Sequence, residues 1–244
     1  MDLAYGQSYR ELYRNHWWFR AREEFLIHFL ERNNLANGLT LDVGCGDGLF
    51  FDELKRIGCT PNGLEADQRL VSEETRQRYR VHIGYLDKHF QPDQPFDLIL
   101  MLDVLEHIEE DLGALRHAHR CLARNGALVI TVPAFQWLWT NHDDLNHHYR
   151  RYTKVTLSKR LATADFQPFA SQYFYNWLVP VKLMVKAREA VFDRAPSNPQ
   201  LPSTPVNRIL KSVSRIEQKV TSVIKLPFGS SLLMASRKKT EPLA

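Results

Sequence analysis

The stretch that most constrains this chain is Leu41-Asp42-Val43-Gly44-Cys45-Gly46-Asp47-Gly48. A short apolar run, Leu39 to Val43, ends in three glycines at alternating positions. Such a run reads as a buried strand, and the glycines let the chain turn sharply and bring its backbone close to a ligand. The spacing is G-x-G-x-G, not the G-x-G-x-x-G of pyrophosphate binders, which disfavours an NAD-dependent oxidoreductase. An acid, Asp42, precedes the glycines. An anionic pyrophosphate disfavours a carboxylate there, whereas a ligand with an amino group tolerates or prefers one. The plain alternative is a structural tight turn. Glu65 lies near the ~20-residue offset at which a carboxylate accepts both ribose hydroxyls, although a lone Glu there is more often a surface acid.

The rest of the chain alternates strand and helix patterns. Helix is predicted over residues 8–34, Phe50 to Ile57, 68–80, Glu109 to Leu122 with Asn125-Gly126 as its stop, and Thr153 to Ala164. Strands are predicted at Leu39 to Val43, Pro61 to Glu65, Val81 to Tyr85, Phe96 to Leu102, Ala127 to Val132, Phe166 to Phe174 and Ser231 to Ser236. Phe96 to Leu102 is nearly all apolar, as a strand covered on both faces should be. This alternation implies an α/β fold with a mostly parallel sheet and right-handed crossovers, with ligands beyond the carboxyl ends of the strands.

Asp42-x-Gly44-x-Gly46-x-Gly48 followed by Glu65 resembles the first motif and the acidic second strand of class I S-adenosyl-L-methionine (SAM)-dependent methyltransferases. Phe96 to Leu102 with Asp103-Val104-Leu105-Glu106-His107 resembles that superfamily's fourth-strand motif. Leu122 to Gly126 and Val132-Pro133 resemble its next helix end and fifth strand, with Asn125 in place of a more usual Gly or Pro. The resemblance implies a Rossmann-like three-layer sandwich with a seven-stranded sheet, an N-terminal helical cap over 1–36, a SAM-binding core over 37–175, a helical insertion over 176–226 and a last core strand with tail over 227–244. It implies SAM as cofactor: Asp42 and the Gly44, Cys45, Gly46, Gly48 backbone at its methionine end, Glu65 at the ribose, Leu86 or Asp87 at the adenine, and Leu102 and Asp103 near the sulfonium. Trp17 and Trp18 are expected as core or lid aromatics, with one of them, Trp18, over the SAM pocket, and Arg22 is expected to meet the SAM carboxylate. His16 to Arg22 and His142 to Thr153 resemble a bacterial subgroup of these methyltransferases, and the tryptophan pair is similar to ubiquinone-biosynthesis O-methyltransferases.

The loop after the fifth strand is the expected place for the methyl acceptor. His142 paired with Asp143 suits a general base toward a hydroxyl, with His148, Arg151 and Tyr152 beside it, and Arg150 or Arg151 suits an acidic substrate group. A dedicated base is optional, because proximity and in-line geometry supply most of the acceleration of methyl transfer. A purely structural network of histidines and arginines is the alternative. The spacing of His142, Asp143 and His148 fits no dedicated metal motif, so no metal is expected. His107 is expected to cap or pack the helix after the fourth strand.

Charge is unevenly spread. Residues 1–176 carry 20 Lys and Arg against 24 Asp and Glu, whereas residues 177–239 carry 12 against three, a net +9. Val206, Ile209, Val213, Ile216, Val220 and Val223 recur at spacings of three and four, an apolar seam flanked by Arg208, Lys211, Arg215 and Lys219. The expectation is that this seam packs on a preceding helix, Trp177 to Phe192, as a cover over the site. An interfacial helix on anionic lipid and a dimer contact are the alternatives. No uninterrupted run of ~18 apolar residues occurs, the first 14 residues lack a signal-peptide core, and the three cysteines are not in C-x-x-C spacing, so a cytoplasmic chain is expected, peripheral to the inner face of the membrane under the lipid alternative. The expected reaction is methyl transfer to an oxygen of a small molecule or lipid-linked compound; a non-catalytic SAM-binding scaffold is an alternative that the intact Asp42 to Gly48 motif and Glu65 count against. Nucleic acid is disfavoured, because the segment after the fourth strand lacks the Asn/Asp-Pro-Pro-aromatic grip on a flipped base.

Overall fold

The computed structural model describes residues 10–192 and 200–239. Seven strands, β1 (Gly38–Val43), β2 (Cys59–Glu65), β3 (Arg80–Ile83), β4 (Phe96–Leu102), β5 (Leu122–Pro133), β6 (Phe166–Phe174) and β7 (Ser231–Lys238), form one sheet in the order β3-β2-β1-β4-β5-β7-β6. The first five pair in parallel, and β7 runs antiparallel to both β5 and β6. The helices are α1 (Trp17–Arg32), α2 (Phe51–Arg56), α3 (Glu73–Arg78), α4 (Asp111–Cys121), α5 (Asn141–Leu145), α6 (Lys154–Thr163), α7 (Leu178–Val191) and α8 (Thr204–Val223).

Successive strand residues point to opposite faces, and both faces here are apolar and covered. Leu98 and Leu100 pack with Phe25, Leu26, Phe29 and Leu30 of α1 and with Phe51 and Leu54 of α2. Ile99 and Met101 pack on the other side with Leu115 and Ala118 of α4 and Leu157 and Leu161 of α6. The strand order reverses between β1 and β4, so a crevice opens beyond their carboxyl ends, where doubly wound sheets bind ligands.

Three local expectations change. Asn125-Gly126 does not stop a helix: α4 ends at Cys121, and Leu122 already pairs with Phe96 before the register shifts so that Ala127 meets Leu98. The segment 68–80 is too polar to sustain one amphipathic helix; it splits into a 3₁₀ turn, Gln68–Leu70, and α3 capped by Ser72. His16 interrupts the first helical stretch, capping α1 through Nδ1, which accepts from the Trp18 amide at 3.2 Å. Residues 8 and 9 of the first expected helix, and 195–199 of the expected Ala195 to Pro205 link, lie outside the described residues.

The largest change concerns α8. Its apolar seam does not pack on α7. Val206, Ile209, Val213, Ile216, Val220 and Val223 are all exposed, Ile209 and Ile216 by 61% and 62%. The helix instead docks by a polar stripe, Asn207, Lys211, Ser214, Gln218 and Thr221. Asn207 Oδ1 accepts from the Trp17 amide and its Nδ2 donates to Asn15 O. Gln218 Nε2 donates to Ala21 O at 2.8 Å, Gln172 Nε2 donates to Thr221 Oγ1 at 3.1 Å, and Lys211 and Arg215 pair with Glu24 at 3.1 and 2.6 Å. At about 100° per residue the two stripes lie on opposite sides of the helix, so docking one exposes the other.

Candidate active site

The three glycines of the turn after β1 have φ of +69°, +54° and +63° at Gly44, Gly46 and Gly48. A Cβ on Gly44 would lie 2.7 Å from Val104 Cγ2, so the turn after β4 approaches the backbone too closely for any side chain. A Cβ on Gly46 would meet nothing within 4 Å; there the left-handed φ alone demands glycine, and the backbone faces open space. Glu65 ties this turn to the end of β2: its carboxylate accepts from the Gly46 amide at 2.8 Å and from the Asp67 amide at 2.9 Å. Cys45 is half-buried, and burial pushes its thiol up, so it has no nucleophilic character.

Asp42 is buried at 5% exposure, and burial pushes its carboxyl up to about 7 against the opposing pull of Arg22. Arg22 reaches from α1 across the carboxyl edge of the sheet. It pairs with Asp103 at 2.6 Å, donates to Thr131 Oγ1 at 3.3 Å and lies 5.3 Å from the Trp18 ring. Asp103, at the end of β4, holds a φ of +57°, a strained conformation fixed from both sides by Arg22 and Thr131. Leu102 beside it is half-buried. Asp42, Gly44, Cys45, Gly46, Gly48, Glu65, Leu102, Asp103, Trp18 and Arg22 therefore belong to the ends of β1, β2 and β4 and the helix above them. Leu86 is buried in the core beside Phe90, while Asp87 is exposed and accepts from the His89 amide at 2.8 Å.

The segment after β5 is a closed network. Asp143 is fully buried; Thr140 and Asp143 form the capping box that starts α5. Its two oxygens accept from Arg151 Nε at 2.9 Å and Nη2 at 2.6 Å, and Oδ1 meets His148 Nδ1 at 2.9 Å. Burial raises the Asp143 carboxyl, but the hydrogen bonds from His148 and Arg151 outweigh it and hold the group well below the usual carboxylate range. The histidine paired with Asp143 is thus His148 and not His142. Adjacent helical residues point about 100° apart, so when Asp143 turns inward to cap, His142 stays exposed. Arg151 donates also to Ala134 O, and Arg150 pairs with Asp111 at 3.0 Å, so neither guanidinium is turned toward a substrate anion. Tyr152 is buried with its hydroxyl donating to Asp111 Oδ2 at 2.9 Å; burial and then Asp111 hold its phenol far above its ordinary value. Asp143, Arg151 and Tyr152 lock the segment in place, and His142 and His148 are the members left at its surface.

Two residues outside the expected site stand beside it. Glu106 and His107 form the 3₁₀ turn after β4, and the Tyr149 amide donates to Glu106 O at 2.8 Å, binding this turn to His148. His107 does not cap α4; its ring packs edge-on against His148 with centroids 4.6 Å apart. The sequence signals for Glu106 and His107 are their place directly after a nearly all-apolar parallel strand and the resemblance of Asp103 to His107 to the superfamily's fourth-strand motif.

A family model described as "Methyltransferase domain" matches residues 14–170. Over 192 residues the chain is 21% identical to the ubiquinone biosynthesis O-methyltransferase of Hydrogenovibrio crunogenus, covering 72% of this chain and 74% of that protein. It is 27% identical over 141 residues to the one of Pseudomonas syringae pv. tomato, covering 50% of this chain and 60% of that protein. Among solved structures, an S-adenosylmethionine-dependent methyltransferase from Clostridium acetobutylicum superposes with a TM-score of 0.61 at 12% identity, covering 96% of this chain and 99% of that one.

Proposed function

From the premise that this chain belongs to the methyltransferase domain family and is a SAM-dependent methyltransferase, we propose that it methylates an oxygen of a small or lipid-linked acceptor held at an anionic membrane surface. Asp42 and the Gly44–Gly48 backbone hold the methionine end of SAM, and the remaining lone pairs of Glu65 accept from the ribose. Leu86 and Asp87 flank the adenine, and Leu102 and Asp103 stand near the sulfonium. Trp18 and Arg22 close the pocket from α1.

The observation that carries the membrane part is the outward seam of α8. A monomer rarely turns such an apolar stripe to water without a partner. Arg208 and Lys219 are exposed along one flank of that seam, and α7 adds exposed Val181, Leu183, Met184, Val185 and Val191. An apolar face with a basic flank is the complement of an anionic lipid surface. α7 also adjoins the site: Lys186 Nζ donates to Trp137 O at 2.8 Å and Glu189 accepts from the Asn141 amide at 3.1 Å. The similarity to ubiquinone biosynthesis O-methyltransferases agrees with an oxygen acceptor. Among the described residues no helix is long and apolar enough to cross a membrane.

The test is methyl transfer from labelled SAM to phenolic, carboxylic and RNA acceptors, and to lipid-linked acceptors in vesicles with and without anionic lipid. The expected outcome is an O-methylated lipid-phase product formed faster on anionic vesicles. Transfer to a water-soluble acceptor at a rate vesicles do not change would sink the membrane part. A concentration-dependent dimer that buries the seam would sink it too.

A further inference from the structure

Glu106, His107 and His148 each offer a ligand atom, and these atoms lie within 4.8 Å of one another. We propose that these three residues hold one divalent first-row transition cation, such as Zn²⁺ or Mn²⁺, at the acceptor side of the SAM pocket. The binding of the ion stands on these residues alone; its use in transfer rests on the oxygen-acceptor reading above.

Four observations carry the site. Glu106 is 1% exposed, yet among the described residues its Oε2 has no hydrogen-bond partner. A buried carboxylate oxygen without a partner is expensive, and a cation removes that cost. Second, His148 gives Nδ1 to Asp143, which leaves Nε2 as its ligand atom. Metal-binding histidines characteristically spend their other ring nitrogen on such a carboxylate, which fixes tautomer and ring direction. Arg151 in turn clamps Asp143, so the buried network that has no free group for a substrate becomes the support of this histidine. Third, the His107 ring stands edge-on to His148 with centroids 4.6 Å apart, which sets the two imidazoles side by side. Fourth, the Tyr149 amide bond to Glu106 O keeps both halves of the set in register. Atoms bound to one ion at about 2.1 Å lie about 3–3.5 Å apart, so small side-chain rotations close the set.

One carboxylate and two imidazoles suit Zn²⁺, Mn²⁺ or Fe²⁺ better than Ca²⁺ or Mg²⁺, which favour all-oxygen shells. Three protein ligands leave coordination positions for the acceptor oxygen. An acceptor hydroxyl bound there releases its proton to solvent more readily. The oxygen then attacks the SAM methyl carbon; the C–O bond forms as the S–CH₃ bond breaks, and the electron pair returns to sulfur as a neutral thioether.

The test uses untagged full-length protein stripped with chelator. Co²⁺ is titrated and followed by its visible absorption, with bound metal counted by elemental analysis. The expected result is one Co²⁺ per chain, affinity lowered at least tenfold in Glu106→Gln and His107→Gln, and SAM binding unchanged in both. Glu106→Gln exchanges an unpartnered carboxylate for an amide, and His107 is exposed, so each variant keeps the fold. Asp143→Asn, acting through His148, is expected to lower affinity about 10–100-fold. No Co²⁺ binding by the wild type, or equal binding by both Gln variants, overturns the proposal. Because no lipid or acceptor is present, failure here leaves the membrane reading intact, and failure of vesicle binding leaves the metal site intact.

Discussion

Asp42 is held in a buried position where its carboxyl titrates at about 7. A folded value raised above the ordinary 3.8 means its contribution to stability is present below about pH 4 and lost as pH rises through about 7. SAM, with its ammonium, favours the ionised form. Affinity for SAM is therefore expected to rise from about pH 6 to about pH 8, as read by calorimetry, and Asp42→Asn is expected to bind more weakly at the upper end and flatten the profile. A wild-type affinity that does not move with pH would refute this. Gly46 makes a sharper probe of the pocket. An arginine there enters open space, so Gly46→Arg is expected to cost only about 1–2 kcal/mol for the left-handed φ while abolishing SAM binding. Asp143 is different: it is paired on both oxygens in a dry network. Removing its charge leaves Arg151 buried and alone, so Asp143→Asn is expected to lower unfolding stability in urea by about 3–5 kcal/mol. A loss below about 1 kcal/mol would mean the pair is not dry.

Among the elements, α8 has its two faces assigned in reverse of the usual rule. Its polar stripe carries the docking contacts and its apolar stripe faces outward. Exposed positions tolerate substitution, so Ile209→Glu with Ile216→Glu is expected to change stability within about 0.5 kcal/mol each. The same pair is expected to abolish co-sedimentation with anionic liposomes. A loss of several kcal/mol would show that the seam is packed after all. By contrast Gln218→Ala, which leaves the docking stripe, is expected to cost about 1 kcal/mol with liposome binding kept or weakened in parallel with stability. Periodicity alone identified this helix and its seam, but not which stripe meets the body. An apolar stripe is compatible with either, and the choice was made by where Asn15, Ala21, Glu24 and Gln172 offer partners.

On the scale of the whole molecule, the chain is one sheet covered on both faces, with α1 and α8 closing one side. A ligand that binds only the folded state stabilises it by mass action. SAM at one hundred times its dissociation constant adds about 2.7 kcal/mol, so Tm is expected to rise about 5–10 °C, and Gly46→Arg is expected to remove the shift. NAD at the same concentration is expected to leave Tm unchanged; an equal shift with NAD would contradict the cofactor.

What the sequence by itself determined is local and periodic. Strand runs such as Phe96 to Leu102, the glycine turn after β1 and the acid at Glu65 announce themselves through nearest neighbours, because φ preference and burial period act over a few residues. The turn and acid proposed for the cofactor are built from such pieces, so they were legible as pieces of structure. The residues proposed for the acceptor side are pairs far apart in the chain. Glu106 and His148 stand 42 positions apart, yet the turn after β4 and the segment after β5 bring their ligand atoms within 4.8 Å. Spacing cannot report that proximity, nor that Asp143 turns from its neighbour His142 to His148, because helix geometry and burial decide it only once the sheet has set both loops at one edge. The outward face of α8 was settled the same way, by hydrogen-bond partners that exist only in the folded molecule.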